Sequence, residues 1–265
     1  MSDQVGIIGI GAMGNALLKG LLAALPPDKL MIADALPAKL QEARTTYKVP
    51  AADSKKIAAA CGVIFLAVKP QDVRPLLQEM APVLRDGQLV VSVAAGITLA
   101  EIKRHLPGRV GVVRVMPNTP CLVGEGALAV SAGDNVSEKD LQKVVSWLEK
   151  LGMVRVVPET ALDAVTGLSG SGPAYVFLLI EALADGGVLA GLPRSLAQEL
   201  AVQTVLGAAK LVRETGSHPA VLREMVTSPG GTTASGLFEL EQGALRSVVQ
   251  RAVKAACNRA KELAE

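Results

Sequence analysis

Residues 5–16 read VGIIGIGAMGNA, an apolar run that leads through Gly-x-Gly-x-x-Gly into a helical pattern. Each glycine of this motif has its own role: Gly9 permits a tight turn, Gly11 leaves the backbone open to a pyrophosphate, and Gly14 lets the helix pack closely on the strand. The first turn of that helix would present free N–H groups and its positive dipole end to the phosphates. The stretch therefore predicts a strand, a dinucleotide-binding turn and a helix.

A second predicted strand, residues 29–33, ends in Asp34, which follows Gly14 by 20 residues. Dinucleotide-binding folds place at about this distance the acid that accepts a hydrogen bond from the adenosine ribose 2′-OH. A glycine-rich turn that binds no ligand is the alternative interpretation. The agreement of strand, spacing and acid favours the dinucleotide.

The composition is that of a globular protein with a substantial core. The chain has 265 residues, of which 50% are hydrophobic and 2% aromatic, and its net charge is +2. This length allows one large domain or two of medium size. Because charges of both signs are interspersed, nothing indicates a nucleic acid or an anionic membrane surface as a partner.

The cysteines and histidines limit the chemistry. Cys61, Cys121 and Cys257 lie far apart and are odd in number, which argues against a disulfide framework and favours a reducing cytoplasm. Each is best interpreted as a small buried apolar residue. The two histidines, His105 and His218, lack metal-ligand spacing, so we expect neither a metal site nor a His-based triad.

The sequence predicts no signal peptide and no membrane span. The first residues lack the basic region of a signal peptide. The longest uncharged run, residues 164–180, contains three glycines and Pro173, which we expect to interrupt it. A soluble cytoplasmic protein is the expectation.

Strands and helices alternate up to residue 157, which predicts an α/β fold with an N-terminal Rossmann domain, residues 1–157, built on a doubly wound parallel sheet. Asp53 and Thr98 are predicted helix caps. After Pro158 only helical segments follow, so residues 158–265 are expected to form a separate all-α domain. The predicted strands are Gln4–Ile8, Leu30–Ala33, Gly62–Val68, Gln88–Val93, Arg109–Val115, Ala127–Ser131 and Val154–Val157.

The carboxyl ends of parallel strands face the ligand in this architecture. Small residues at Ala67, Ala94 and Ala95 would let a nicotinamide ribose lie against the backbone. Lys69 could approach a cofactor phosphate or the active site, or it could be a solvated strand-end lysine. Asn118 could bind a ligand, or it could form a turn between two prolines.

Two glycine-rich loops stand out in the second half. Residues 167–175, GLSGSGPAY, either present N–H groups to an anion or form a close helix contact that only small residues permit. Residues 228–233, SPGGTT, either form a nest of N–H groups for a carboxylate or cap a helix. Neither contains the Gly-x-Ser-x-Gly of a hydrolase elbow.

Together these segments resemble pyrroline-5-carboxylate reductase. The similar segments span nearly the whole chain in the order of that family, and the later ones are more specific than the dinucleotide motif. They are residues 9–14 (GIGAMG), 67–71 (AVKPQ), 94–96 (AAG), 115–120 (VMPNTP), 167–175 (GLSGSGPAY), 184–187 (ADGG) and 228–233 (SPGGTT).

The resemblance implies that 1-pyrroline-5-carboxylate is reduced to L-proline by NADPH or NADH, in the last step of proline biosynthesis. It also implies a helical dimerisation domain, a homodimer or a higher homo-oligomer, and a small cyclic imine as the only other partner. An iminium is already electrophilic, so the protein would mainly align hydride donor and acceptor. This fits a chain without a metal site or a covalent nucleophile.

The resemblance also assigns site residues. Thr233 would hydrogen-bond the ring nitrogen, and with Lys69 it forms the expected catalytic pair. The substrate carboxylate would bind at Ser228, Gly230, Gly231, Thr232 and Thr233. The expected cofactor-binding residues are Gly9, Gly11, Ala12, Met13, Gly14, Asp34, Ala67, Val68, Lys69, Pro70, Ala94, Ala95 and Asn118.

Asp34 departs from the small polar or basic residue that many members of the family have near this position. Because a 2′-phosphate would meet like charge there, we expect NADH to be used at least as well as NADPH. A β-hydroxyacid dehydrogenase shares the opening motif, but the stretch Gly172–Glu199 contains no lysine, which that family needs for catalysis. A non-catalytic nucleotide sensor would not need the second glycine-rich loop with its two threonines.

Overall fold

The structure, a computed structural model, describes residues 3–263. Among these residues seven strands form one sheet in the order β2-β1-β3-β4-β5-β6-β7. The strands are β1 (Val5–Ile8), β2 (Leu30–Ala33), β3 (Val63–Leu66), β4 (Leu89–Ser92), β5 (Gly111–Met116), β6 (Gly126–Ala132) and β7 (Gly152–Val156). Every strand predicted from the sequence is present, with ends that differ by at most two residues.

Twelve α-helices lie in the described part of the chain. They are α1 (Ala12–Leu22), α2 (Pro37–Tyr47), α3 (Ser54–Ala60), α4 (Pro70–Met80), α5 (Leu99–Arg104), α6 (Glu138–Leu148), α7 (Leu162–Val165), α8 (Gly172–Leu189), α9 (Arg194–Thr215), α10 (Pro219–Met225), α11 (Thr232–Gln242) and α12 (Leu245–Glu262). The two predicted caps are confirmed: Asp53 accepts a hydrogen bond from Lys56 N–H, and Thr98 accepts one from Glu101 N–H.

One strand departs from the predicted parallel sheet. Strands β1 to β5 pair in parallel, but β6 runs antiparallel to β5, and β7 is again parallel to β6. A parallel crossover needs about a dozen residues or more. Residues 117–125, which connect β5 to β6, are too few, so β6 turns back beside β5.

The sheet buries two apolar layers, as expected for a doubly wound fold. Neighbouring residues of one strand alternate between the layers, since Val63 and Phe65 of β3 face one and Ile64 and Leu66 face the other. Helices α1, α2 and α6 cover the first layer, whereas α3, α4 and α5 cover the second. Both faces of the central strands are therefore dry, and their carboxyl ends remain at the edge where a ligand can bind.

The described chain divides into two compact units at a place other than residue 157. The first unit contains the residues up to Ser171 together with those from Ala255 onward, and the second is Gly172–Lys254. Residues 158–171 stay with the sheet because Leu162 is fully buried there and Asn118 Nδ2 donates to Ser169 O at 3.1 Å. The boundary between the compact units thus lies beyond the change from strands to helices near residue 158.

The second unit has almost no core of its own. Its cluster of buried residues consists of Ala184, Ala197 and Ala201, where α8 and α9 pack against each other. By contrast, large apolar side chains of both helices are exposed, including Phe177 at 61% and Leu178 at 67%. These helices need a covering surface that one chain does not supply within this unit.

The glycines of residues 164–180 do not interrupt the helix as predicted. The chain stays helical through α7, a π-helical turn at Thr166–Gly170 and α8. Within residues 3–263 this stretch, Glu159–Leu189, is the one helix that is long and apolar enough to cross a membrane, judged by length and composition alone. Of its most apolar segment, 6% is buried. The expected interruption was thus wrong, because glycine is accommodated in a π-helical turn.

Candidate functional site

The glycine-rich turn has the geometry that its sequence predicts. Gly9 has φ of 95°, and its N–H donates to Ala33 O at 2.8 Å. A Cβ added at Gly9 would lie 2.6 Å from Ala67 O, and one added at Gly14 would lie 1.8 Å from Gly9 O. The fold itself therefore requires both glycines, the first for the turn and the second for the approach of α1.

Gly11 differs from these two glycines. A Cβ added there would meet nothing within 4 Å, so no contact within the chain requires glycine at this position. Gly11 is the N-cap of α1 and provides no side-chain cap, and the first turn of the helix carries no acidic residue. The N-terminus of α1, with Ala12 exposed and Met13 half-buried, thus offers uncapped N–H groups beside open space. This arrangement fits a pyrophosphate.

A cavity of about 840 Å³ opens at the carboxyl ends of β1, β2 and β3. This volume lies in the range of cofactor sites. Six of the predicted cofactor-binding residues line it together: Gly9, Gly11, Asp34, Ala67, Val68 and Lys69. The structure thus brings the turn, the acid of β2 and the end of β3 to one site.

Asp34 is bound to the backbone on both sides. Ile10 N–H donates to Oδ2 at 2.6 Å, and Leu36 N–H donates to Oδ1 at 2.8 Å. The carboxylate therefore braces the glycine-rich turn against the loop after β2. Each oxygen can accept a further hydrogen bond, such as one from a ribose hydroxyl.

The same cavity contains residues that the sequence analysis missed. Ala52, Asp53 and Ser54 reach it because Ala51 forms a β-bridge with Ile32, which places this segment beside β2. Asp53 was interpreted only as a helix cap. Residues of α4 complete this wall: Gln71, Asp72, Pro75, Leu76 and Glu79. The strand-end rule alone does not find them, because they lie inside a helix or in a short connection.

Lys69 is the exposed N-cap residue of α4, and its backbone is extended where it lines the cavity. Pro70 begins α4 at a position where its missing N–H costs nothing. Lys69 is thus both solvent-exposed and available to a ligand in the cavity, so both interpretations of this lysine remain compatible with its position.

Ala94 and Ala95 follow β4 and do not line the large cavity. Ala94 is buried and its N–H donates to Ser92 Oγ at 3.3 Å, whereas Ala95 is exposed. The next residue, Gly96, is approached by Leu263 O at the end of α12, 3.1 Å from an added Cβ. The turn after β4 is therefore packed from one side and open at Ala95.

Asn118 is used by the fold. Its Oδ1 accepts from Ala127 N–H at 2.9 Å, and its Nδ2 donates to Ser169 O at 3.1 Å. The side chain is 8% exposed. Asn118 therefore ties the end of β5 to the start of β6 and to the π-helical turn, which is a structural role that the predicted ligand contact did not anticipate.

The π-helical turn favours one of the two interpretations of residues 167–175. Ser171 N–H donates to Thr166 O at 2.8 Å, so this backbone is bonded within the helix. A Cβ added at Gly170 would lie 2.5 Å from Met116 Cε. Close packing against β5 therefore accounts for the small residue at Gly170, and the Ser171 N–H is used within the helix.

Residues 228–233 lie in the second unit and form a turn that opens α11. Gly230 has φ of 66°, and Gly231 N–H donates to Ser228 O at 3.0 Å. Gly231 is the N-cap of α11 and provides no side-chain cap. Thr232 is exposed and Thr233 is half-buried in the first turn of the helix. The turn thus sets two hydroxyls beside uncapped N–H groups, which suits a carboxylate.

The cysteines are buried thiols. Burial raises the pKa of Cys61 to about 11, and it also raises the pKa of Cys121 above its ordinary value. A thiol held in its protonated form is a poor nucleophile. Within residues 3–263 there is no group of three or more His, Cys, Asp or Glu side chains that could hold a metal ion.

Comparison with known proteins identifies both parts of the chain. Residues 159–263 match the family described as pyrroline-5-carboxylate reductase dimerisation, and residues 4–96 match NADP oxidoreductase coenzyme F420-dependent. The pyrroline-5-carboxylate reductase of Synechocystis is 46% identical over 99% of both chains, and that of Arabidopsis thaliana is 44% identical over 100% of this chain and 96% of its own.

Solved structures agree with this result. The pyrroline-5-carboxylate reductase of Coxiella burnetii superposes with a TM-score of 0.93 at 36% identity over 100% of both chains. The pyrroline carboxylate reductase of Plasmodium falciparum, solved with NADP bound, gives 0.89 at 32% identity over 99% of this chain and 98% of its own. The chain therefore belongs to the pyrroline-5-carboxylate reductase family.

Proposed function

We propose that this protein reduces 1-pyrroline-5-carboxylate to L-proline with NADPH or NADH, in the last step of proline biosynthesis. The observation that carries the proposal is similarity over the full length to reductases of this name, together with a cavity beside an uncapped glycine-rich turn. The reaction is a hydride transfer to a C=N bond, which needs neither a metal ion nor a covalent nucleophile.

The first unit fits the dinucleotide. The open space at Gly11 and the N-terminus of α1 suit the pyrophosphate, and Asp34 suits a ribose hydroxyl. Lys69 supplies a positive charge at the same cavity. The bound cofactor supplies the hydride, and the protein supplies its position. Ala94 and Ala95 are proposed to support the nicotinamide end.

The turn of residues 228–233 is proposed to bind the substrate. Its uncapped N–H groups suit the carboxylate, with Ser228, Gly230, Gly231 and Thr232 contributing backbone or hydroxyl groups. The hydroxyl of Thr233 is proposed to hydrogen-bond the ring nitrogen. This contact would fix the imine carbon toward the hydride donor, because orientation is the main contribution that such a site can make.

A homodimer is proposed as the smallest active form. The second unit exposes large apolar side chains on α8 and α9, and residues 159–263 match a dimerisation family. A second copy of the same surface is the simplest cover, and a higher homo-oligomer is compatible with it. The same pairing would bury the exposed apolar side chains of α8 without a membrane. We further propose a cytoplasmic location, which cell fractionation would test.

A direct assay tests the function. Purified protein is mixed with 1-pyrroline-5-carboxylate, and the loss of NADPH or NADH absorbance is followed while proline is quantified by chromatography. Proline formed in equal amount to the nucleotide oxidised supports the proposal. Turnover of a β-hydroxyacid but not of the imine would instead identify a β-hydroxyacid dehydrogenase. Tight dinucleotide binding without any turnover would indicate a non-catalytic nucleotide sensor.

A further inference from the structure

The large cavity has an acidic wall that bears on the choice of cofactor. The carboxylates in its lining outnumber the ammonium groups. They are Asp34, Asp53, Asp72 and Glu79, against Lys39 and Lys69. A phosphate placed beside Asp34 would therefore meet repulsion from several carboxylates.

A second space has the opposite charge balance. A groove of about 370 Å³ lies between α1 and α2. Lys19 of α1 and Lys39 of α2 line it, with Glu42 as its single carboxylate. The groove adjoins the large cavity, because Gly11 and Lys39 line both spaces. A ligand seated in the cavity can thus extend a phosphate past Gly11, away from the acidic wall and toward Lys39.

Asn15 supplies an independent observation in the same groove. Its side-chain oxygen is buried and has no hydrogen-bond partner, although the residue lines the groove. A buried amide atom without a partner costs free energy, so it indicates a site where a ligand or water pairs with it. The amide can rotate to offer either its oxygen or its nitrogen, and so can match a phosphate with or without a proton.

We propose that the groove between α1 and α2 binds a phosphate monoester at Lys39, and that this group is the 2′-phosphate of NADPH. The inference rests on the proposed function, since it names how that function accepts two cofactors. Asp34, held by Ile10 and Leu36 N–H groups, faces the ribose diol of NADH. Lys39 is exposed and serves the extra phosphate of NADPH. Lys39 thus determines cofactor specificity by favouring NADPH, whereas Asp34 favours NADH.

Isothermal titration calorimetry of the full chain with NADP⁺ and NAD⁺ tests this assignment without turnover. In Lys39→Gln the Kd for NADP⁺ should rise at least about fivefold, while that for NAD⁺ stays within about twofold. Lys39→Arg should retain most of the NADP⁺ affinity. The matched control is Arg44→Gln, which removes the same charge from α2 outside both spaces and should change neither constant. Equal changes for the two cofactors in Lys39→Gln would overturn the proposal.

A second titration separates the cofactor phosphate from a free one. Adenosine 2′-monophosphate should bind more tightly than adenosine 5′-monophosphate, lose affinity in Lys39→Gln, and be displaced by NADPH. Binding to protein already saturated with NADPH would instead mean an effector site and would overturn the assignment. If the protein shows this Lys39 dependence but does not reduce the imine, the proposed function fails and the phosphate site stands.

Discussion

At the residue scale, Thr233 carries the most specific chemical prediction. Thr233→Val removes the hydroxyl that we propose for the ring nitrogen and keeps the shape of the side chain. We expect kcat/KM for the imine to fall by the equivalent of about 0.5–1.5 kcal/mol for a neutral hydrogen bond, or ~1.5–3 kcal/mol if the nitrogen is charged. The Kd for NAD(P)H should not change. Steady-state kinetics with a cofactor titration measures both.

The control for this variant is Thr45→Val. Thr45 Oγ1 donates to Gln41 O on the surface of α2, and Thr45 is not part of the proposed substrate turn. This variant should keep the wild-type kcat/KM. If Thr233→Val also keeps it, Thr233 has no part in the reaction, and the substrate turn must bind the imine in another way.

Asp34 carries the second prediction at this scale. Asp34→Ser should shift the ratio of kcat/KM values toward NADPH, because the charge that repels a 2′-phosphate is removed. It should also weaken both cofactors, since one serine oxygen cannot accept from both Ile10 and Leu36 N–H groups. Asp34→Asn also removes the charge and leaves a single acceptor oxygen, so it should shift the ratio in the same direction with a similar loss of affinity. A wild type that strongly prefers NADPH, with an unchanged ratio in both variants, would contradict the assignment.

Local spacing predicted some of these residues and could not predict others. Gly9 and Gly14 belong to the glycine-rich turn, and Asp34 follows the end of β2. The spacing of these three residues along the chain is regular, so the sequence alone predicts their positions. The partners of Asn118 are Ala127 and Ser169, and the second lies 51 residues away. A structural role that depends on such distant backbone groups leaves no local pattern, so the sequence did not predict these two contacts of Asn118.

At the element scale, the glycine-rich turn offers a matched pair of variants. Gly14→Ala would place Cβ 1.8 Å from Gly9 O, so α1 must shift from β1. We expect a loss of about 1–3 kcal/mol in the free energy of unfolding and weak cofactor binding. Gly11→Ala meets nothing within 4 Å and should cost much less stability than Gly14→Ala, limited to the weaker N-cap, while still weakening the dinucleotide. Denaturant unfolding and NADH fluorescence titration measure the two effects.

The outcome of this pair separates folding from binding. If Gly11→Ala destabilises the protein as much as Gly14→Ala does, the space beside Gly11 is not open in solution. If Gly11→Ala binds NADH with wild-type affinity, the pyrophosphate does not approach this glycine, and the turn has only a structural role.

Elements were predictable where one chain segment determines its own structure. Capping by Asp53 and Thr98 and the alternation of apolar residues along β3 are local, and they were read correctly. The reversal of β6 depends on the length of the connection from β5, which the alternating pattern does not show. The continuous helix through Gly167 and Gly170 depends on packing against Met116, and glycines seen alone indicate a break.

At the scale of the whole molecule, the second unit cannot account for its own stability. Buried apolar area is the main favourable contribution to folding, and the buried cluster of this unit consists of three alanines. Its large side chains, among them Phe177, Leu178 and Leu189, are more than half exposed. Covering these helices with a second chain would supply the missing burial, so folding of this unit and association of two chains should be a single event.

Leu178 provides the test of that coupling. In a two-fold dimer one substitution is made twice at the interface, so a charge there acts on both copies. Leu178→Asp would bury two carboxylates in an apolar contact, which is costly without a partner for each charge. We expect the wild type to sediment without monomer at micromolar concentration, and the variant to dissociate with a Kd raised at least about tenfold, or ~1.4 kcal/mol. Imine reduction should be lost with the dimer.

The control, Val123→Asp, puts the same charge on a side chain of the first unit that is 78% exposed and should leave sedimentation unchanged. A wild type that is monomeric and fully active would show that the exposed helices have another cover, and the second unit would then not be a dimerisation domain.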